Sequence, residues 1–108
     1  MTGCFLKFYV AENRRHHHLL AYEWLLEEAQ RLGLQGGSAF RALAGFGRQG
    51  RLHEEHFFEL AGDLPVEISF VTTPDEADRF LAHLKGQGLN LFYLRTPVDY
   101  GFSDDAAP

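Results

Sequence analysis

Cysteine is nearly missing from this chain. With Cys4 alone among 108 residues, no intramolecular disulfide can close and no cysteine-rich zinc site can form. A reducing compartment fits that usage, so a cytoplasmic location is expected. Long apolar runs are missing too. No stretch approaches the roughly 18–20 residues that a spanning helix needs, and the first residues lack the charged start and apolar run of a secretory signal. The chain is therefore expected not to span a membrane. Positive charge is the third shortage: ten Lys and Arg against fifteen Asp and Glu leave a formal charge of −5. That balance argues against a nucleic-acid partner, because phosphate backbones require a basic surface, but it leaves room for a local basic pocket that takes small anions. A base-oriented nucleophile is also lacking. Cys4 sits in a strand-like run and the few serines fall in strands or near the C-terminus, so no catalytic residue is nominated and a non-enzyme is expected.

Apolar and aromatic residues, in contrast, are plentiful. Hydrophobic residues make up 45% of the chain, and ten of its residues are Phe. This is globular composition at single-domain length. So many rings in so small a core predict that some lie in a subunit interface.

Residues 4–10 alternate as a strand, with Cys4, Leu6, Phe8 and Val10 on one face and Phe5, Lys7 and Tyr9 on the other. From about His17 to Leu32 the spacing becomes helical, with Tyr22, Leu25, Leu26, Ala29 and Leu32 on one stripe and Gly33 as the stop. Leu20 and Trp24 fall off that stripe, which predicts a partly buried edge position for the indole. Ser38 to Phe46 reads as a second strand, setting Phe40, Ala42, Ala44 and Phe46 against Arg41 and Leu43. Residues 52–62 have no clean period. Val66 to Val71 is a third strand. Thr73-Pro74-Asp75-Glu76 then spells a capping box, opening a helix whose stripe is Ala77, Phe80, Leu81 and Leu84. Gly86-Gln87-Gly88 ends that helix, and Leu89 to Thr96 is a fourth strand. The order β-α-β-β-α-β predicts an α+β fold of the ferredoxin-like kind, with both helices on one face of an antiparallel sheet. One domain is expected over residues 1–97, with a flexible tail over 98–108. The sheet face away from the helices, with Phe5, Tyr9, Phe92 and Leu94 among its candidates, then needs a cover.

The chemistry concentrates at Gly45-Phe46-Gly47-Arg48-Gln49-Gly50-Arg51-Leu52-His53. Glycines let backbone N–H groups turn inward, and two guanidiniums and an imidazole add charge-assisted donors, which together make an anion-holding loop. The run also spells G-x-G-x-x-G. A dinucleotide fingerprint, however, belongs to the first strand-turn-helix of a longer sheet, and here a strand and a helix precede it. His53 and His56 are three apart rather than four, so they do not make the H-E-x-x-H zinc motif. No metal site is nominated. A labile site joining His16, His17 or His18 to His53 is weighed and set below the plain reading of solvent-facing imidazoles.

The string GFGRQGRLH, the Leu64-Pro65-Val66 strand entry and the six-element order resemble the PII-like signalling proteins. The resemblance is narrowest to the PII-like domain-of-unknown-function family, number 190. It covers Phe5 to Thr96. It implies a trimer that binds a small anionic effector, such as a nucleotide, in clefts between subunits and regulates a partner such as a transporter or an enzyme. By the same resemblance Gly45, Phe46, Gly47, Arg48 and Gln49 lie beside the ligand, with Arg48 facing phosphate, and Arg51 and His53 complete the set. The chain departs from PII proteins after the second helix, where Leu89 follows Gly86-Gln87-Gly88 in place of a lysine, and at its acidic C-terminal segment. The cofactor stays unspecified. Two other readings of the fold are a small cofactor-free oxygenase and a metal-responsive CutA-like protein.

Overall fold

The computed structural model describes residues 1–46, the backbone of 53–54, and residues 64–105. Its elements run β1 (Thr2–Ala11), β2 (Arg15–His16), β3 (Leu19–Leu20), α1 (Ala21–Arg31), β4 (Gly37–Arg41), β5 (Ala44–Gly45), β6 (His53–Glu54), β7 (Pro65–Thr72), α2 (Pro74–Gly86) and β8 (Phe92–Asp99). The four long strands form one sheet in the order β4-β7-β1-β8, each neighbouring pair antiparallel. Both crossovers, β1 to β4 and β7 to β8, return through a helix, and both helices pack on the same face. The expected ferredoxin-like architecture is present.

The core lies between that sheet and the helices. Leu6, Phe8, Ile68 and Phe80 have almost no exposure. Phe8, Phe70 and Phe80 form a triangle of edge-to-face rings with centroids 5.5 to 6.2 Å apart. The alternation of β1 therefore reads correctly: Cys4, Leu6, Phe8 and Val10 all point into this layer. The second helix opens with the expected box, in which Thr73 Oγ1 accepts from the Glu76 N–H at 3.1 Å and Glu76 Oε1 accepts from the Thr73 N–H at 2.8 Å. Gly37 faces the Phe70 ring so closely that a Cβ there would lie 2.5 Å from a ring carbon.

The first helix begins later than its periodicity predicts. His17 and His18 adopt φ of 51° and 69°, left-handed values that no helix contains, and they turn a short hairpin between β2 and β3. Trp24 corrects the expected edge position. It is buried, because the hairpin and α2 close over it: the His16 ring lies 4.5 Å from the indole, and the His83 ring stacks at 6.1 Å. The second strand is also not continuous. It ends at Arg41, where the Ala42 N–H turns to the Pro65 carbonyl oxygen, and resumes as β5. The last strand is displaced toward the C-terminus. It starts at Phe92 and runs to Asp99, so Val98 and Asp99 pair with Gly3 and Thr2 beyond the expected domain boundary.

β8 is an edge strand. Tyr93 turns toward the helix layer beside Phe8 yet stays exposed. On the sheet's far side, Tyr9, Phe40, Val71, Phe92 and Leu94 are all exposed. In the middle of this open face Lys7 Nζ lies 3.4 Å from Glu67 Oε1. The expected uncovered apolar face is thus present.

Candidate functional site

The glycine-arginine run begins where three strand ends gather. Here β1 ends, β4 ends and β7 begins, and their register places Phe40 opposite Glu67 and Glu67 opposite Tyr9. The corner is tied by backbone bonds, Glu12 N–H to the Leu64 oxygen at 2.7 Å and Ala42 N–H to the Pro65 oxygen at 2.9 Å. Arg41 Nε donates to Glu12 Oε2 at 2.6 Å across it. With Arg41 exposed and Glu12 half-buried, that pair adds orientation more than stability.

A depression of about 270 Å³ opens at this corner, lined by Tyr9, Phe40, Arg41, Gly45, Phe46 and Glu67 among others. Its walls are largely apolar, with Tyr9, Phe40 and Phe46 among them, and its polar points are few, the composition of a small-ligand site. Tyr9 donates its hydroxyl proton to Glu67 Oε1 at 3.0 Å. That bond to a carboxylate, with partial burial, pushes the phenol's pKa above its ordinary value, so Tyr9 acts here as a donor and not as a base.

Of the residues that the sequence nominates, Gly45 and Phe46 line this depression, and Phe46 is largely exposed. Gly45 pairs with His53 in the two-residue β5–β6 ladder, which brings the backbone at the two ends of the run together. Gly47, Arg48, Gln49 and Arg51 lie outside the described residues, as does the His53 side chain. Tyr9, Phe40, Arg41 and Glu67 are additions that the sequence reading did not nominate. Arg41 stood four residues before Gly45 as a clue. Tyr9 and Glu67 reach the site only through strand register, which no local pattern reveals.

Metal chemistry finds no site among the described residues, where no three His, Cys, Asp or Glu side chains converge. No described helix is long and apolar enough to cross a membrane.

The model of the DUF190 family, described as an uncharacterized ACR, matches residues 3–93. The chain belongs to this family. Relatives of this DUF190 chain include a UPF0166 protein of Aquifex aeolicus (strain VF5), 32% identical over 89 residues that span 82% of this chain and 85% of that one. The UPF0166 protein MJ1524 of Methanocaldococcus jannaschii is 29% identical over 79 residues, 73% of this chain and 72% of that one. Among solved structures, CPII from Thiomonas intermedia K12, a nitrogen regulatory PII-like protein bound to ADP, AMP and bicarbonate, superposes with a TM-score of 0.67. The match covers 94% of this chain and 91% of that one at 16% identity. A putative PII-like signaling protein from Thermus thermophilus gives a TM-score of 0.64 at 18% identity, covering 90% of this chain and 87% of that one. At such identities the likeness is one of fold, and the fold is PII-like.

Proposed function

We propose that this DUF190 protein is a cytoplasmic, non-enzymatic PII-like sensor that binds a small anionic effector, a nucleotide or a simpler anion, and regulates a partner protein. The observation that carries the reading is the corner depression at the base of the glycine-arginine run, with Gly45 and Phe46 in its wall. In this reading Gly47, Arg48, Gln49, Arg51 and His53 complete the site, the two guanidiniums neutralising the anion and the glycine N–H groups filling the gaps between them. The exposed rings of the open sheet face argue for a homotrimer, since leaving Tyr9, Phe92 and Leu94 wet forgoes roughly 25 cal/mol per Å². The depression opens at the margin of that face, so a neighbouring subunit would close it into an intersubunit cleft. The Thiomonas structure, solved with ADP, AMP and bicarbonate, supplies the ligands to try first. The regulated partner would be a transporter or an enzyme.

Calorimetry with adenine nucleotides and bicarbonate tests the site. Arg48→Ala and Arg51→Ala should each weaken binding about tenfold without lowering thermal stability. Absence of binding to the wild type, or binding by both variants as tight as the wild type's, would falsify the assignment.

A further inference from the structure

A cavity larger than the corner depression lies away from it. It has a volume of about 540 Å³ and opens between the second half of α2 and the start of β8. The cause is topological. The first turns of α2 reach the edge strand, where Arg95 bonds Asp78 and the Pro74 carbonyl oxygen, whereas the second half of the helix leaves Tyr93 of β8 exposed. Phe8, Leu84 and Leu89 form a buried floor, and Leu81, Leu91 and Tyr93 contribute to the sides. Lys85 and Asn90 supply the polar margin. Neither the Lys85 ammonium nor the Tyr93 hydroxyl is engaged by another described residue.

The margin of this cavity is braced. The connection over residues 87–91 forms one wall, and the β2–β3 hairpin grips it at two points. Arg14 Nη1 donates to the Asn90 carbonyl oxygen at 3.2 Å, and the His17 ring bonds Gln87 Oε1 at 3.0 Å. His17 reaches Gln87 from a left-handed backbone position, φ 51°, that a β-carbon makes unfavourable. The histidine tract that effector binding leaves without a role is thus the brace of this wall. A braced, apolar hollow of this volume is of the size and character that bind small molecules in a ready-made shape.

We infer that this cavity is a second binding site, for an amphipathic monoanion: an apolar body of aromatic or medium-chain alkyl type carrying one carboxylate or sulfonate. The apolar floor excludes a bare inorganic ion, which would lose its hydration against Leu84 and Leu89 without donors to replace it. The single unengaged ammonium of Lys85 sets the charge of the ligand at one. The size and lone cation favour a small molecule over a second copy of the chain.

The probes are 1-anilinonaphthalene-8-sulfonate, read by its fluorescence, and decanoate against decanol as competitors. Saturable probe binding is expected, with decanoate displacing the probe about tenfold better than decanol. Lys85→Gln should remove that difference while leaving the melting temperature in place, because the side chain is exposed. Ala82→Phe, which sets a ring over the hollow from the exposed side of α2, should abolish binding at unchanged mass. His17→Ala should weaken it. Saturating ADP with bicarbonate should leave probe binding as it was. Full binding to Ala82→Phe would place the probe elsewhere, on the open sheet face. Equal competition by decanol would remove the anion requirement, and displacement by ADP would merge the two sites. A change of mass on Ala82→Phe would mean that another copy fills the hollow. Any of these results overturns the inference.

Discussion

Replacing Phe80 with Ala removes one corner of the ring triangle at the centre of the core. Phe80 has no exposure, and its ring meets Phe8 at 5.8 Å and Phe70 at 5.5 Å, both edge-to-face. Truncating a buried phenylalanine costs about 3–5 kcal/mol, the spread reflecting how far the surroundings collapse into the space. Two lost ring pairs, each worth about 0.5–1.5 kcal/mol beyond area, push the expectation to the upper part of that range. Collapse is hindered here. The neighbours are a sheet on one side and a capped helix on the other, and neither can move toward the gap without breaking its own hydrogen bonds. A domain of this size holds about 5–15 kcal/mol in total, so the variant should still fold but at a third or more of its reserve lost. Urea unfolding followed by far-ultraviolet circular dichroism is the assay. With a slope of about 1–3 kcal/mol per molar, the midpoint should fall by about 2 M, measured at one fixed protein concentration so that the proposed assembly does not enter the comparison. A fall of less than about 0.5 M on that same slope scale would show that the triangle does not hold the core.

Thr73→Ala deletes the capping bond to the Glu76 N–H and should cost about 1 kcal/mol, read in the same urea assay. Glu28 is held below its ordinary pKa, first by its bond to Arg31 and then by its bond to His83. A lowered carboxyl pKa means stability that is full above the unfolded value and lost as pH falls through the folded one. Melting temperature should therefore decline on the acid side less steeply in Glu28→Gln than in the wild type. Identical acid-side slopes would remove Glu28 from the account. Phe92→Lys puts a charge in the open face without touching the core and should dissociate the proposed trimer in light scattering while a folded monomer remains. Unchanged mass would mean that this face is not the interface.

How much the sequence disclosed depended on the range of the forces involved. The capping box over Thr73 to Glu76 is a contact between residues three apart, so its spelling suffices. The inward set of β1 follows from strict alternation. The hairpin before α1 was illegible, because a left-handed backbone stays uncommon even for histidine, which enters it more often than most residues with a β-carbon; the indole, Gln87 and the 87–91 connection hold it there from a distance. Trp24 misled for the same reason. Its surroundings come from a hairpin and a second helix that its own helix does not encode. At the site, Gly45 and Phe46 were found through glycine spacing, whereas Tyr9 and Glu67 arrive through cross-strand register.

The edge strand β8 bears on solubility. The strand over Phe92–Asp99, paired with β1 on one side only, offers along its outer edge a template on which another chain can add, and such addition is how sheets grow into fibrils. Pro97 breaks the template, since it has no N–H to offer. Arg95, held by Asp78 Oδ1 at 2.7 Å and by the Pro74 carbonyl oxygen at 3.2 Å, keeps a charge beside the break. Copies meeting edge to edge find a row of donors with a gap and a guanidinium in the way. An aromatic-rich protein thereby guards its longest free edge against aggregation, and its apolar face is left as the surface on which copies can meet.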